Sequence, residues 1–371
     1  MFRSNQMGVY IHWPFCVSKC PYCDFNSHVY GSIDQEQWIA AYIKSLEHYA
    51  ELLPDKQVIS IFFGGGTPSL MSGKSVAAII DTVQRLWSVA NDLEITLEAN
   101  PTSVEISKFK SFKDAGVNRI SIGVQAFNND DLKFLGRGHD VSDSLRAIEI
   151  ASSMFERYSF DLIYARPQQS LGAWEVELKD ALKYAKGHLS LYQLSIEKGT
   201  PLYKRHNSGE FAIPDEVQGA DFYHLTQDIM EDAGLPAYEV SNHAQAGQEC
   251  RHNLIYWNMA DYIGVGAGAH GRFMMGEDKY ASKDNHIPDK WLKDVTHKLE
   301  KLSAEDRFIE DVMMGLRLRD GISIKRCEDV LDIDKLADIC AQDWAQLNGD
   351  NLSLTREGLL RLNAIIPYIL K

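Results

Sequence analysis

The chain has 371 residues, of which 45% are hydrophobic, and a formal net charge of −14. That length suits one large domain and a smaller one, and the negative charge repels phosphate backbones, so nucleic acid is not an expected partner. No run approaches the ~18 apolar residues of a transmembrane helix, so only peripheral membrane association, through a protein partner, stays open. The six cysteines make no disulfide framework, and the first residues are too polar for a secretory signal whether Met1 or Met7 is the initiator, which indicates a cytoplasmic protein.

Short β-rich runs alternate with longer amphipathic stretches over the first two-thirds of the chain. The longer stretches have apolar residues at three- and four-residue intervals, the spacing of a helix with one buried face. Such alternation is typical of βαβ units around a parallel sheet, and six units predict a partial (β/α)6 barrel of the α/β class. Its chemistry is expected at the carboxyl ends of the strands. The predicted strands cover 9–13, 58–63, 93–98, 119–124, 160–164 and 189–195, and the predicted helices 34–53, 74–89, 104–115, 142–154 and 174–186.

The last third of the chain has a different pattern. A further helix is predicted over 215–233, and residues 238–271 are then rich in Gly, His, Asn and aromatic side chains. From about residue 303 the pattern is helical, with a turn, a short strand and a final helix, which predicts a small α+β module of winged-helix type. Its 13 acidic and 9 basic residues favour packing or docking over DNA binding. The sequence thus predicts three parts: a barrel over 1–235, a linking region over 236–302 and a C-terminal module over 303–371.

Three cysteines lie close together directly after the first predicted strand, in the run Cys16-Val-Ser-Lys-Cys20-Pro-Tyr-Cys23. A cubane iron–sulfur cluster takes one thiolate per iron, so three thiolates leave one iron open to a small chelating ligand. A structural zinc site takes four ligands, and His28 is the residue that could complete one. The pattern therefore favours an open [4Fe–4S] cluster, with a zinc-stabilised interaction protein as an alternative.

Polar or glycine residues mark the ends of four successive predicted strands. The second strand runs into three glycines and Thr67, where a backbone can approach a ligand and offer N–H groups to a carboxylate or ribose. The third strand ends at Glu98, Gln125 follows the fourth, and Asp161 lies in the fifth. A polar side chain inside an apolar strand is costly unless it is paired, so each one alone suits a structural hydrogen bond. Their succession favours one shared ligand-binding mouth.

Taken in chain order, these segments resemble the radical S-adenosylmethionine (SAM) superfamily, whose signature is Cys-x3-Cys-x2-Cys with an aromatic residue before the last cysteine. Over nearly the whole chain they resemble its HemN-like branch, that of the oxygen-independent coproporphyrinogen III dehydrogenase. The resemblance implies that Cys16, Cys20 and Cys23 bind a [4Fe–4S] cluster and that SAM chelates its open iron. By position, the implied SAM contacts are Tyr10, Tyr22, Gly65, Gly66, Thr67, Glu98, Gln125, Arg137 and Asp161.

One segment departs from the HemN-like pattern. Residues 164–170 read Tyr-Ala-Arg-Pro-Gln-Gln-Ser, where relatives usually have a loop of the Gly-Leu-Pro-Gly-Gln kind. Two flexible glycines are therefore missing around Ala165-Arg166-Pro167, and the contacts of this loop stay open.

Two details distinguish members of the branch. The dehydrogenase has a fourth cysteine where this chain has Phe25, and it has a longer segment before the cluster motif. In both respects this chain resembles the heme chaperones of the HemW type. They favour a chaperone over the dehydrogenase, which stays as the alternative.

Residues 252–257, His-Asn-Leu-Ile-Tyr-Trp, are a candidate heme-binding segment. A histidine followed by Tyr and Trp can supply an axial nitrogen and apolar rings for a flat macrocycle, and Arg251 can meet a propionate. Composition alone favours a surface loop whose aromatic residues pack on the core, and His243, His270 and Cys250 are other candidate heme ligands. The His-Asn-x-x-Tyr-Trp pattern resembles that of the heme chaperones and implies heme binding and transfer to an acceptor protein, such as a respiratory enzyme. The implied heme contacts are His252, Asn253, Tyr256 and Trp257.

Overall fold

The structure, a computed structural model, describes residues 2–371. Strands occur along the whole of this range and are short outside the first two-thirds of the chain. They are β1 Gln6–Trp13, β2 Phe15–Cys16, β3 His28–Val29, β4 Gln57–Gly65, β5 Ser88–Ala99, β6 Arg119–Gln125, β7 Arg157–Tyr164, β8 His188–Gln193, β9 Asn242–Ala244, β10 Asp261–Val265, β11 His270–Met275, β12 Asp278–Lys283, β13 Lys298–Lys301, β14 Ile322–Ser323, β15 Ala345–Asn348 and β16 Asn351–Leu354.

The helices lie between these strands, and many begin at a side-chain cap. Asp140 and Asp215 both form capping boxes, with Asp143 and Gln218 respectively, which satisfy the first backbone N–H groups of their helices. The helices are α1 Gln35–Leu52, α2 Gly73–Leu86, α3 Ser103–Ile106, α4 Phe109–Asp114, α5 Asn129–Phe134, α6 Val141–Met154, α7 Leu171–Leu182, α8 Pro201–Asn207, α9 Glu216–Asp232, α10 Arg251–Trp257, α11 Pro288–Lys293, α12 Ala304–Gly315, α13 Ile333–Ala341, α14 Arg356–Leu360 and α15 Leu362–Ile369.

One open, eleven-stranded sheet organises most of the chain, in the order β13-β12-β11-β10-β1-β4-β5-β6-β7-β8-β9. The strands from β10 through β8 in this order run parallel, and β9 and β11–β13 are antiparallel additions at the two edges. The six predicted strands of the partial barrel are present as β1 and β4–β8, and the α/β partial-barrel prediction is confirmed. Residues 236–302, predicted as a linking region, contribute β9 to β13 to this same sheet.

Strand β1 illustrates how the sequence builds two faces. Met7, Val9, Ile11 and Trp13 are fully buried, in one apolar core with residues of helix α1. The alternate residues, among them Tyr10, point to the concave face of the sheet, because successive side chains on a strand face opposite ways. The hydrophobic core therefore lies between the outer face of the sheet and the helices, and the polar side chains of the predicted site lie on the concave face.

The C-terminal module has a core of its own, which contains Val312, Leu331, Leu352 and Ile369. Its helices pack around a three-stranded antiparallel sheet in the order β14-β16-β15. This agrees with the predicted helix-rich module that ends in a strand and a final helix.

Within residues 2–371, no helix is both long and apolar enough to cross a membrane.

Candidate functional site

The three clustered cysteines lie within residues 15–27, which follow β1 and are called the cysteine loop below. Cys16 ends the two-residue strand β2, and Cys20 and Cys23 lie outside regular structure. All three are partly exposed free thiols. Burial raises the pKa of Cys16, hydrogen bonds with Thr67 and Ser27 lower it, and the neighbouring Cys23 and Cys20 raise it again. The thiols are therefore close enough to oppose one another's ionisation, a cost that a bound cationic group would offset.

The cysteine loop rests on the glycine turn that follows β4. A side-chain Cβ on Gly66 would lie 2.6 Å from the carbonyl oxygen of Phe15, and one on Gly65 would lie 2.6 Å from the ring of His12. The N–H of Gly66 donates to Trp13 (2.7 Å) and that of Thr67 to Phe15 (2.7 Å). The sequence predicted that the N–H groups of Gly66 and Thr67 are open to a ligand. In the structure they donate to the backbone carbonyls of Trp13 and Phe15, directly before the first cysteine.

Arg137 joins the cysteine loop to the strand ends. Its Nη1 lies 3.4 Å from both the Cys20 sulfur and the Tyr22 hydroxyl. Its Nη2 donates to the Asn100 side chain and, at 2.8 Å, to the Gly123 carbonyl. The guanidinium thus places a positive charge beside a cysteine sulfur and links the cysteines to the ends of β5 and β6.

Two carboxyl groups, Glu98 and Asp161, approach each other on the concave face. Burial, together with the charge of Asp161, raises the pKa of Glu98 to about 8, although the Gly65 N–H lowers it. Burial also raises the pKa of Asp161 to about 6, which a hydrogen bond from Ser190 and the charges of Arg119 and Arg137 counteract. Glu98 is therefore largely protonated at neutral pH in this state, and a cationic ligand would be needed to ionise it fully.

Gln125 lies at an irregularity in the pairing of β6 with β7 and has a left-handed backbone, with φ of 76°. This conformation directs its amide nitrogen back toward Gly123, where an added Cβ would lie 3.1 Å from it. Gln125 thereby joins Arg137 and Asn100 at the mouth of the barrel. Gly65 to Thr67, Glu98, Gln125, Tyr22 and Arg137 lie at this end of the strands or in the loops above it, whereas Tyr10 and Asp161 lie further down their strands.

No group of three or more His, Cys, Asp or Glu side chains within residues 2–371 is arranged to surround one metal ion. Each thiolate of a [4Fe–4S] cluster binds a different iron, so the thiols need only border the cluster. His28, the fourth ligand of the zinc alternative, instead has its Nε2 3.1 Å from the Asn26 side-chain oxygen.

The 252–257 segment is a helix, α10, and not a surface loop. His252 is only 4% exposed. Its ring stacks on Phe62 at 4.3 Å and on Tyr10 at 5.5 Å, and meets the edge of Tyr256 at 4.5 Å. Burial lowers the pKa of His252 to about 3, and its Nδ1 has no hydrogen-bond partner. The histidine is thus neutral and covered on the concave side of the sheet.

The residues around His252 fix α10 against the amino-terminal half of the sheet. Asn253 donates to the Tyr238 hydroxyl at 3.1 Å. Arg251, the candidate for a propionate, donates to Asp92 at 2.7 Å and to the Ile59 carbonyl at 3.1 Å. Since Ile59 lies near the start of β4, α10 is at the opposite end of the strands from the glycine turn and the cysteines.

The remaining aromatic and candidate-ligand residues are in different surroundings. The guanidinium of Arg317 lies 5.6 Å from the centre of the Trp257 ring. His243 is buried, with its Nε2 3.3 Å from Gln227, whereas His270 is exposed at the start of β11. Burial raises the pKa of Cys250 to about 11, so this cysteine remains a neutral thiol.

Sequence reasoning missed Asn26, which ties the cysteine loop to the late part of the sheet. Its side-chain nitrogen donates to Ala267 at 2.8 Å and to His286 at 2.9 Å, and its carbonyl lies 3.0 Å from His12 Nε2. Gly268 is required beside it, because a Cβ there would lie 2.4 Å from the Asn26 side chain. The glycine-rich pattern of this region was visible in the sequence, but its partner was not.

The 164–170 loop keeps the left-handed backbone that its missing glycines would have supplied. Ala165 has φ of 56° and Gln168 has φ of 63°. Arg166 is buried, pairs with Glu177, and lies 3.1 Å from Asp131. A buried ion-pair network thus holds the loop in a conformation that its own residues disfavour.

Comparisons with known proteins show the family and the fold. Family models match residues 10–181 as the "Radical SAM superfamily" and residues 302–361 as the "HemN C-terminal domain". The solved structure of coproporphyrinogen III oxidase (HemN) from Escherichia coli has a TM-score of 0.81 at 19% identity and covers 98% of this chain and 90% of that one, which supports the fold.

Two relatives are close in sequence. "Radical S-adenosyl methionine domain-containing protein 1, mitochondrial" of Bos taurus is 38% identical over 86% of this chain and 75% of its own length. "Heme chaperone HemW" of Escherichia coli (strain K12) is 35% identical over 100% of both chains. With this full-length similarity, both domain matches and the open α/β sheet, the chain belongs to the HemW family within the radical SAM superfamily.

Proposed function

We propose that this protein is a heme chaperone, which binds heme and passes it to an acceptor protein. The observation that carries the proposal is the 35% identity to the heme chaperone HemW over the full length of both chains. Phe25, at the position of the fourth cysteine of the dehydrogenase, supports the same choice. A respiratory enzyme is the proposed kind of acceptor, and the proposed setting is the cytoplasm with peripheral contact to a membrane.

We propose that Cys16, Cys20 and Cys23 hold a [4Fe–4S] cluster, which supplies an open iron for the methionine end of SAM. Arg137 would stabilise the thiolate of Cys20, since its guanidinium lies 3.4 Å from that sulfur. Gly65, Gly66 and Thr67 would keep the cysteine loop in place through the backbone contacts described above.

The polar side chains of the concave face would hold the rest of SAM. The half-buried pair of Glu98 and Asp161 offers acceptors for the amino and ribose hydroxyl groups. Burial raises the pKa of Glu98 to about 8, and the positive sulfonium and amino groups of SAM would lower it again and favour the ionised form. Tyr10, Tyr22 and Gln125 are the other proposed contacts.

For heme, the proposed contacts are His252, Asn253, Tyr256 and Trp257. The neutral imidazole of His252 is suited to ligate iron, and its Nδ1 has no internal partner to give up. Because Phe62 and Tyr10 cover the ring, ligation requires this aromatic stack to open.

One experiment separates the proposed functions. The protein is reconstituted anaerobically with iron and sulfide, and SAM is added with either heme or coproporphyrinogen III. A chaperone gives a saturable Soret change with heme and leaves coproporphyrinogen unaltered. Formation of protoporphyrinogen would instead show that the protein is the dehydrogenase. Zinc in place of iron in anaerobically purified protein would contradict both the chaperone and the dehydrogenase hypotheses.

The role of His252 is tested by His252→Ala, with His270→Ala as the matched control on the exposed start of β11. We expect loss of the heme-induced Soret shift in the first variant only. Unchanged heme affinity in His252→Ala would remove this histidine from the proposed site.

A further inference from the structure

A cavity of about 600 Å³ lies at the end of the sheet opposite the cysteine loop. The first residues of β1, the turn before β4, the β11–β12 hairpin and the C-terminal module form its walls. Residues 258–261, which directly follow the 252–257 motif, are part of the lining. The volume is within the range of sites for cofactor-sized ligands.

The cavity is basic, although the protein as a whole is acidic. Five lysine and arginine residues line it, against two aspartates. Two of the cations are neutralised: Lys56 pairs with Asp261 at 2.6 Å, and Arg326 with Asp311 at 2.9 Å. The others have no carboxylate within ion-pair distance among residues 2–371. Since the chain has a net charge of −14, this local excess of positive charge is a specific feature of the cavity.

Two of these cations are poorly satisfied. Lys279 is only 5% exposed, and its hydrogen bond goes to a neutral group, the Met259 carbonyl, at 2.8 Å. Arg307 is half-buried, and its Nε is shielded from solvent without a hydrogen-bond partner. Asp311 acts electrostatically on both cations, and Asp261 and Glu310 also act on Lys279, but none of these carboxylates forms an ion pair with either cation. An anion inside the cavity would give both side chains the direct ionic contact that they lack.

The rest of the lining is mixed: polar side chains around residues 4–6 and Asn258 lie beside an apolar, adaptable part. Met259, Met274 and Met275 contribute thioethers, and Phe2 adds an aromatic ring. Methionine side chains adjust their shape and make favourable contacts with the faces and edges of aromatic rings. Combined with the two unsatisfied cations, this lining suits a flat, apolar ligand that carries carboxylates.

We propose that this cavity is a docking site for heme, with its propionates at Lys279 and Arg307 and its ring against the methionines. The inference rests on the proposed heme-chaperone function and adds a location for the cargo. Heme at this position would lie at the carboxyl end of α10 while His252 is still covered by Phe62 and Tyr10. The cavity therefore holds heme before the aromatic stack opens.

The test is an anaerobic titration of the full-length protein with hemin and with hemin dimethyl ester, followed at the Soret band. The variants are Arg307→Gln and Lys279→Met, and the matched control is Arg146→Gln on the exposed face of α6. We expect each cavity variant to bind hemin about tenfold more weakly, because one charge-assisted hydrogen bond is lost. Neither should change affinity for the ester, which lacks the carboxylate charges, and Arg307→Lys should retain most of the hemin affinity.

Several outcomes would overturn the inference. Wild-type hemin affinity in both cavity variants would do so, as would equal loss of hemin and ester, which indicates damaged folding; circular dichroism and thermal melting check this directly. If His252→Ala abolishes hemin binding and the cavity variants do not reduce it, the docking site is wrong while the chaperone function stands. Absence of hemin binding by the wild-type protein would overturn both.

Discussion

The contact between the glycine turn and the cysteine loop gives the sharpest prediction. A Cβ on Gly66 would lie 2.6 Å from the Phe15 carbonyl oxygen and 2.9 Å from two other backbone atoms of Phe15. Ordinary van der Waals contact begins at 3.4 Å, so the Phe15 backbone must retreat by about 0.8 Å in Gly66→Ala. Because Phe15 directly precedes Cys16, the displacement reaches the first cysteine.

Overpacking of this kind costs about 1–3 kcal/mol, which a large domain tolerates, so the variant should fold. The expected effect is on the cluster: iron and sulfide per chain after anaerobic reconstitution should fall well below wild type, together with the visible cluster absorption.

Gly138→Ala is the matched control, because a Cβ at Gly138 meets nothing within 4 Å although the residue follows Arg137. Full cluster occupancy in Gly66→Ala, or an equal loss of iron and sulfide in Gly138→Ala, would contradict the predicted effect of Gly66 on the position of Cys16.

Three further predictions concern the concave face and the 164–170 loop. The pKa of Glu98 is raised from 4.5 to about 8, so this group favours the folded state most at low pH, and its contribution is lost as pH rises from 4.5 to 8. Urea denaturation across this window should show a decline in unfolding free energy that is smaller in Glu98→Gln; an identical slope would contradict the assignment. Ala165→Gly should stabilise the protein by up to about 1 kcal/mol by relieving the left-handed strain, whereas Ala173→Gly, at an exposed position in the first turn of α7, should cost up to about 1 kcal/mol. Arg166→Met should destabilise by about 3–5 kcal/mol in the same assay, because Glu177 loses its buried cation, and adding Glu177→Gln should recover part of that loss; additive effects would argue against the pair.

Local sequence predicted the parallel core of the sheet well. β1 and β4–β8 each contain or overlap a run of β-rich residues, and amphipathic helices separate most of them, so period and order were sufficient. The strands on either side of the six predicted ones, β9 to β13, were not predicted. They are short, they follow a segment rich in glycine and histidine, and their place in the sheet depends on pairing with β1 and β8, which are distant in the chain.

The candidate site shows the same division. Glu98 and Gln125 could be singled out because they lie at the ends of successive parallel strands, which meet at one edge, whereas the full set of SAM contacts was implied by the resemblance to the HemN-like branch. Asn26 could not be named, since its partners Ala267 and His286 are more than two hundred residues away. The stacking of His252 under Phe62 was equally invisible, because it depends on how α10 packs across the sheet.

The spacing of Cys16, Cys20 and Cys23, the alternation of strands and helices, and Phe25 at the position of a fourth thiol are evident from the sequence, because they are local properties of neighbouring residues. Three other features depend on the folded chain: Gly66 supports the cysteine loop, His252 is covered, and Lys279 and Arg307 line one cavity. Each of these depends on contacts between segments far apart in sequence, whose geometry is set by packing of the whole sheet.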